Sequence, residues 1–217
     1  MDTEQAKHAE NRYLFYALFI PIFSSLLILM IYLLEKSTNW NFHFMGIYPR
    51  TTNGFLGIFT YVFIHGDVNH LMNNVFSYLV LSISLFLVYR QIALKILFLS
   101  YLLSGILLWV IGREACHIGA SGLIYALAFF LFFSGIIRRH IPLMALSMLV
   151  VFIYGNMIWH LFPWQFNDPI SWEGHLSGGL VGTLLSVVYR NEGPQQPEFI
   201  WGETEDEDAE FTDEQGV

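Results

Sequence analysis

The chain has 217 residues, of which 55% are apolar and only 13% charged, with a formal net charge of −8. A soluble domain carries about twice that share of charge, so the composition excludes an ordinary soluble protein and points to an all-α, polytopic membrane protein. The acidic excess is local: ten of the 18 acidic residues fall in the last 27 positions, where there is no Lys or Arg.

Residues 1–13 read as a short polar N-terminal segment. The apolar stretch 14–34 is too long for the core of a signal peptide and has no small-residue cleavage site, so it is expected to be a retained span. Residues 35–69 lack a continuous span and are rich in aromatics (Trp40, Phe42, Phe44, Tyr48, Phe55, Phe59) mixed with Asn, Thr and Gly. That mixture predicts an interfacial first loop resting among lipid headgroups. Five further spans are expected at 70–89, 95–112, 121–137, 141–159 and 174–189, giving six in all over residues 14–190. The short connections between the later spans suit antiparallel neighbours. Residues 191–217 form the acidic stretch, expected to be a solvated, disordered tail. Cys116 is the single cysteine and excludes an internal disulfide. No internal repeat is visible, which argues against an inverted-repeat transporter.

Orientation follows from the basic residues. With the N-terminus inside, Lys7, Arg12, Arg90, Lys95, Arg138, Arg139 and Arg190 are cytoplasmic, and only Lys36, Arg50 and Arg113 fall outside. The bias predicts both termini in the cytoplasm. The start of the fourth span and the start of the sixth then share the outer side. The fourth span is ~25 Å long at ~1.5 Å per residue, shorter than a hydrocarbon core of ~30 Å. Anchored by Arg138 and Arg139, its outer end stops below the headgroups, and the loop 112–120 must dip inward.

Three polar constellations lie at that outer side. Ser121, in Gly119-Ala120-Ser121-Gly122, opens a span where free backbone N–H groups and the positive dipole end suit an oxyanion. The same pattern also suits capping and small-residue packing. His175 leads a run in which Gly174, Gly178 and Gly182 recur every four residues, the small-xxx-small pattern of close helix contact. A histidine at membrane depth is rare and usually functional. His70 and Asn74 share a helix face at the start of the second span, and both can donate to a developing oxyanion. Tyr125, one turn below Ser121, is placed to pack on the His175 ring. There is no His-Glu-x-x-His sequence and no aspartate pair within spans, since Asp67 and Asp168 lie in loops. His65, His70, His117 and His160 have no regular ligand spacing. Serine chemistry is what remains, and no cofactor, metal or nucleic-acid partner is expected.

Together these residues resemble the rhomboid intramembrane serine proteases. The likeness rests on His70-x-x-x-Asn74, Gly119-x-Ser121-Gly122 and His175-x-x-Gly178-x-x-x-Gly182, in the family's order on the second, fourth and sixth spans. Tyr125 falls where the family has a tyrosine stacked on the histidine, and His65 matches its paired-histidine pattern. The resemblance implies a Ser121–His175 dyad with no acidic third member, an oxyanion site from the Ser121 N–H, His70 and Asn74, and transmembrane proteins as substrates in a lipid bilayer. The compact core implies a bacterial inner membrane. The sequence departs from the family in three places: its Trp-Arg pair in the first loop appears as Leu56-Gly57, its acidic residue four before Arg90 is Phe86, and its alanine before His175 is Gly174. Two rivals are an inactive rhomboid-like protein that binds membrane clients, and a small transporter lined by Ser121, His70 and His175. The first usually lacks the serine or the histidine, and the second needs polar inner half-spans that this chain does not offer.

Overall fold

The computed structural model describes residues 3–162 and 171–196. Among them the fold is helical throughout, with no strand and one isolated bridge between Ile47 and His117. Seven α-helices follow in order: α1 (Thr3–Thr38), α2 (Thr52–Gly57), α3 (Val68–Val88), α4 (Ala93–Ile111), α5 (Ser121–Arg138), α6 (Ile141–Tyr154) and α7 (Trp172–Val188). Five of the helical segments are long and apolar enough to cross a membrane, among them Ile141–Leu161, in which α6 continues as a 3-10 helix. The sixth expected span coincides with α7, whose 17 residues measure ~26 Å at ~1.5 Å per residue.

Element ends follow local chemistry. α1 begins at Thr3, eleven residues before the apolar stretch, because Glu4, Gln5, Ala6 and Lys7 are good helix formers and Glu4 favours the positive end of the dipole. The α3 start is capped by the Asp67 carboxylate, which accepts from the His70 N–H at 2.9 Å. That bond holds the Asp67 carboxyl below its usual pKa. In the α7 cap, the Ser171 hydroxyl accepts from the Gly174 N–H at 3.2 Å.

The first loop is folded rather than loose. Arg50 Nη1 donates to the Gly112 carbonyl at 2.7 Å, and the Trp109 indole donates to the Thr51 carbonyl at 3.0 Å, tying the loop to the end of α4. Gly57 lies against the Gly46 backbone so closely that any side chain would collide with the Gly46 carbonyl. Close backbone approach and the Arg50 contacts therefore anchor this loop, in which Leu56 projects outward.

α5 is the central helix, packed against α7, α6, α3 and α4. Among the described residues its contact with α7 is the most extensive between any two helices, and it is close: a side-chain carbon at Gly178 would strike the Gly122 carbonyl, and one at Gly182 the Ala126 carbonyl. The predicted small-residue face of α7 is thus the surface that meets α5. Basic residues gather at the far end of the bundle. Arg90 lies 4.7 Å over the Tyr13 ring, Lys95 4.5 Å over Tyr189 and Arg138 5.3 Å over Tyr89. Arg138 also donates to the carbonyls of Tyr189 (2.7 Å) and Pro194 (3.1 Å), and Lys95 meets Glu192 at 3.2 Å. Residues 191–196 are therefore held against the bundle, and the rest of the acidic tail lies outside the described residues.

Candidate active site

Ser121 is the first residue of α5 and His175 the fourth of α7. Gly122 and Gly174 let the two helix starts converge: a side-chain carbon at Gly122 would sit 3.1 Å from the Gly174 carbonyl. The Ser121 hydroxyl then lies 3.1 Å from His175 Nε2. On the other side of the ring, His175 Nδ1 lies 3.0 Å from the His160 carbonyl. A carbonyl only accepts, so Nδ1 carries the proton and Nε2 presents its lone pair to the serine. That is the tautomer a general base requires.

Tyr125 holds the ring in place. Its own ring stacks on His175 with centroids 4.3 Å apart and planes 9° from parallel. Its hydroxyl donates to the Met157 carbonyl at 2.7 Å, so the tyrosine is fixed at both ends. His175 is 8% exposed, which keeps the imidazole out of bulk solvent, while Ser121 is half-buried.

His70 and Asn74 reach the site through Gly119. That glycine has φ +105°, a conformation that disfavours side chains, and its N–H donates to the Tyr61 carbonyl at 2.9 Å. A side-chain carbon there would fall 2.7 Å from His70 Cε1, 2.9 Å from its Nε2 and 3.4 Å from Asn74 Nδ2. The backbone two residues before Ser121 therefore runs directly beside both polar groups. Gly178 and Gly182 are further down the α5–α7 seam and set the approach of the helices.

His65 bears on the site in a way its spacing alone does not reveal. Its Nε2 is 2.9 Å from Asn74 Nδ2 and its ring is 5.1 Å from that of His70, edge to face. Burial first, and then the neighbouring His70, push the His65 pKa down to about 4, against the Phe63 carbonyl, which raises it. The ring is neutral at ordinary pH, and its Nε2 accepts from the Asn74 amide and fixes that amide's orientation. The carbonyls of His160 and Met157 belong to the site too, and no side-chain motif could have announced them. Among the described residues no group of three or more His, Cys, Asp or Glu is gathered as a metal would need.

A Rhomboid domain model matches residues 52–192, well over half of the chain. The chain belongs to the rhomboid family. An uncharacterized protein of Mycobacterium tuberculosis (strain ATCC 25618 / H37Rv) is 30% identical to this rhomboid over 170 residues, 75% of this chain and 70% of the relative. Rhomboid-related protein 1 of Caenorhabditis elegans is 29% identical over 136 residues, 59% of this chain and 38% of that protein. Rhomboid-related protein 2 of Mus musculus is 27% identical over 140 residues, 60% of this chain and 46% of that protein. The matched segment of this rhomboid contains α2 to α7 and every site residue named above.

Proposed function

We propose that this rhomboid is an intramembrane serine endopeptidase that cuts transmembrane proteins in or near their helices. The observation that carries the reading is the Ser121–His175 contact with Nδ1 committed to the His160 carbonyl. His175 Nε2 takes the hydroxyl proton as Ser121 Oγ attacks the scissile carbonyl, and later gives that proton to the leaving amine. Negative charge on the carbonyl oxygen is met by the Ser121 N–H at the α5 start, by His70 and by the Asn74 amide. Water then attacks the acyl-enzyme, with the same imidazole as base. No acidic third member is needed, because the backbone carbonyl and the Tyr125 stack hold the imidazole in orientation. The substrate must expose a carbonyl from a helix, so segments that unwind readily are preferred. The basic bias supports a topology with both termini in the cytoplasm, and the compact core supports a bacterial inner membrane as the setting.

The test is cleavage of a single-span reporter in liposomes by the full chain, beside Ser121→Ala and His175→Ala. Both substitutions are expected to abolish cleavage, a loss of at least ~10⁴-fold. Equal cleavage by wild type and both variants refutes the dyad.

A further inference from the structure

The two segments that deliver Ser121 and His175 meet a second time, four residues upstream of each. His117 is four residues before Ser121, and Ser171 is four before His175. The upstream pair is thus separated by the same 54 positions as the dyad, with serine and histidine exchanged. His117 Nδ1 lies 2.6 Å from the Ser171 hydroxyl and its Nε2 lies 3.0 Å from the Arg113 carbonyl. The carbonyl again fixes the tautomer: Nε2 donates, and Nδ1 accepts from Ser171. Ser171 is not a second nucleophile, because its oxygen also accepts the Gly174 N–H that caps α7. The His117 backbone exchanges two hydrogen bonds with Ile47, both 2.9 Å, so the ring rests on a fixed base in the first loop.

A second tie lies beside it. Glu173, two residues before His175, is 2% exposed. It receives Arg113 Nη1 at 3.3 and 3.4 Å and the Arg113 N–H at 3.3 Å. A buried carboxylate is costly, and capping of α7 is already supplied by Ser171, so the ion pair does something that capping does not. Both ties join the loop 112–120 to the start of α7, within four residues of His175.

We propose that His117, Ser171 and the Arg113–Glu173 pair are positioning residues that fix the Ser121–His175 separation. The proposal rests on the protease reading above. Ser121 is the first residue of α5, at its junction with the loop 112–120, so its place relative to the base depends on what holds that loop as well as on the α5–α7 seam. A misplacement of about 1 Å is enough to cost ~10²-fold in rate.

The test compares Ser171→Ala, Ser171→Thr and Glu173→Gln in the full chain in liposomes. Reporter kinetics are measured together with the rate at which a soluble fluorophosphonate modifies Ser121. Ser171→Ala and Glu173→Gln are expected to lower kcat by about 10–100-fold with KM within about twofold, and to slow phosphonylation in parallel. Ser171→Thr keeps the hydroxyl and stays near wild type. Unchanged kcat in the Ala and Gln variants overturns the proposal, as does a fall that only follows the folded fraction with Thr no better than Ala. If Glu173→Gln does not fold, the Ser171 pair decides. A wild type that neither cleaves nor reacts with the probe takes down the protease reading and this inference together; an active wild type with indifferent variants removes this inference alone.

Discussion

α5 and α6 are consecutive helices of nearly equal apolarity, yet one forms the centre of the bundle and the other its edge. The most apolar stretch of α5 has a mean hydropathy of 1.8 and that of Ile141–Leu161, α6 with its 3-10 continuation, 2.0, while 67% of the first and 17% of the second is buried. In lipid, hydrophobicity cannot sort inside from outside, because the surrounding acyl chains are as apolar as leucine. Small residues and polar hooks do the sorting. α5 offers Gly122, Ala126, Ala128 and Gly135 to its neighbours, so backbones meet. α6 shows Met148 and Phe152 outward and holds to α5 through the close approach of Leu143 to Gly135 and through Ser147, whose hydroxyl donates to the Phe132 carbonyl at 2.8 Å. The Tyr125–Met157 bond continues that attachment into the segment after α6.

The difference can be broken most severely at the α5–α7 seam. Gly182→Val drives a side chain into the Ala126 backbone, which cannot rotate away. Reporter cleavage is expected to vanish, and the melting midpoint in detergent to fall by the equivalent of ~3 kcal/mol or more. Met148→Val on the outer face of α6 is the control and is expected within ~0.5 kcal/mol of wild type. Equal effects at the two positions would mean that α5 is not the organising helix. Gly135→Val tests the weaker seam. Its side chain meets the Ser147 hydroxyl and the Leu143 carbonyl, and the expected loss is ~1–3 kcal/mol. Proteolysis of segment 155–161 should accelerate, and a digestion pattern like wild type would contradict the placement of α6.

Smaller still is Tyr125→Phe, which removes one hydrogen bond and keeps the stacked ring. A stability loss of ~0.5–1.5 kcal/mol is expected, with cleavage reduced much less than in Tyr125→Leu, where the stack is lost as well. If the two variants behave alike in the cleavage assay, ring stacking contributes nothing. The mildest probe is pH. His65 has its pKa lowered from 6.5 to about 4, so between those values the unfolded chain binds the proton and the folded chain does not. Stability is therefore full above pH 6.5 and declines as pH falls toward 4. His117, lowered mainly by burial, acts in the same direction. Melting midpoints of wild type and His65→Gln should converge on acidification, and parallel curves would remove His65 from the account.

The residue types at the site were legible because they are rare in apolar surroundings. Ser121 and His175 stand out as polar residues flanked by Gly in apolar stretches, His70 and Asn74 as polar residues opening a span, and all four lie at one end of the bundle. Helix ends were less legible. The apolar pattern begins at residue 14, while the helix begins at Thr3, since Ala, Glu, Gln and Lys propagate a helix without an apolar stripe. Segment 141–159 read as one span, but the α-helix gives way to a 3-10 helix at Gly155. What no spacing could supply is the partner chemistry of backbone atoms. The His160 carbonyl sets the tautomer of His175, and a carbonyl is the same in every residue. The tie between His117 and Ser171 spans 54 positions with no local signal.

The grip of Arg138 on the Tyr189 and Pro194 carbonyls has a mechanical consequence. α5 and α7 are pinned at one end by this guanidinium and at the other by the loop contacts around Ser121, like two beams bolted together at both tips. A slip of one residue along their axis is ~1.5 Å, and it would tear at both sets of fastenings at once. The two helices therefore resist sliding along their common axis, and the spacing of serine and histidine is held from both ends of the bundle.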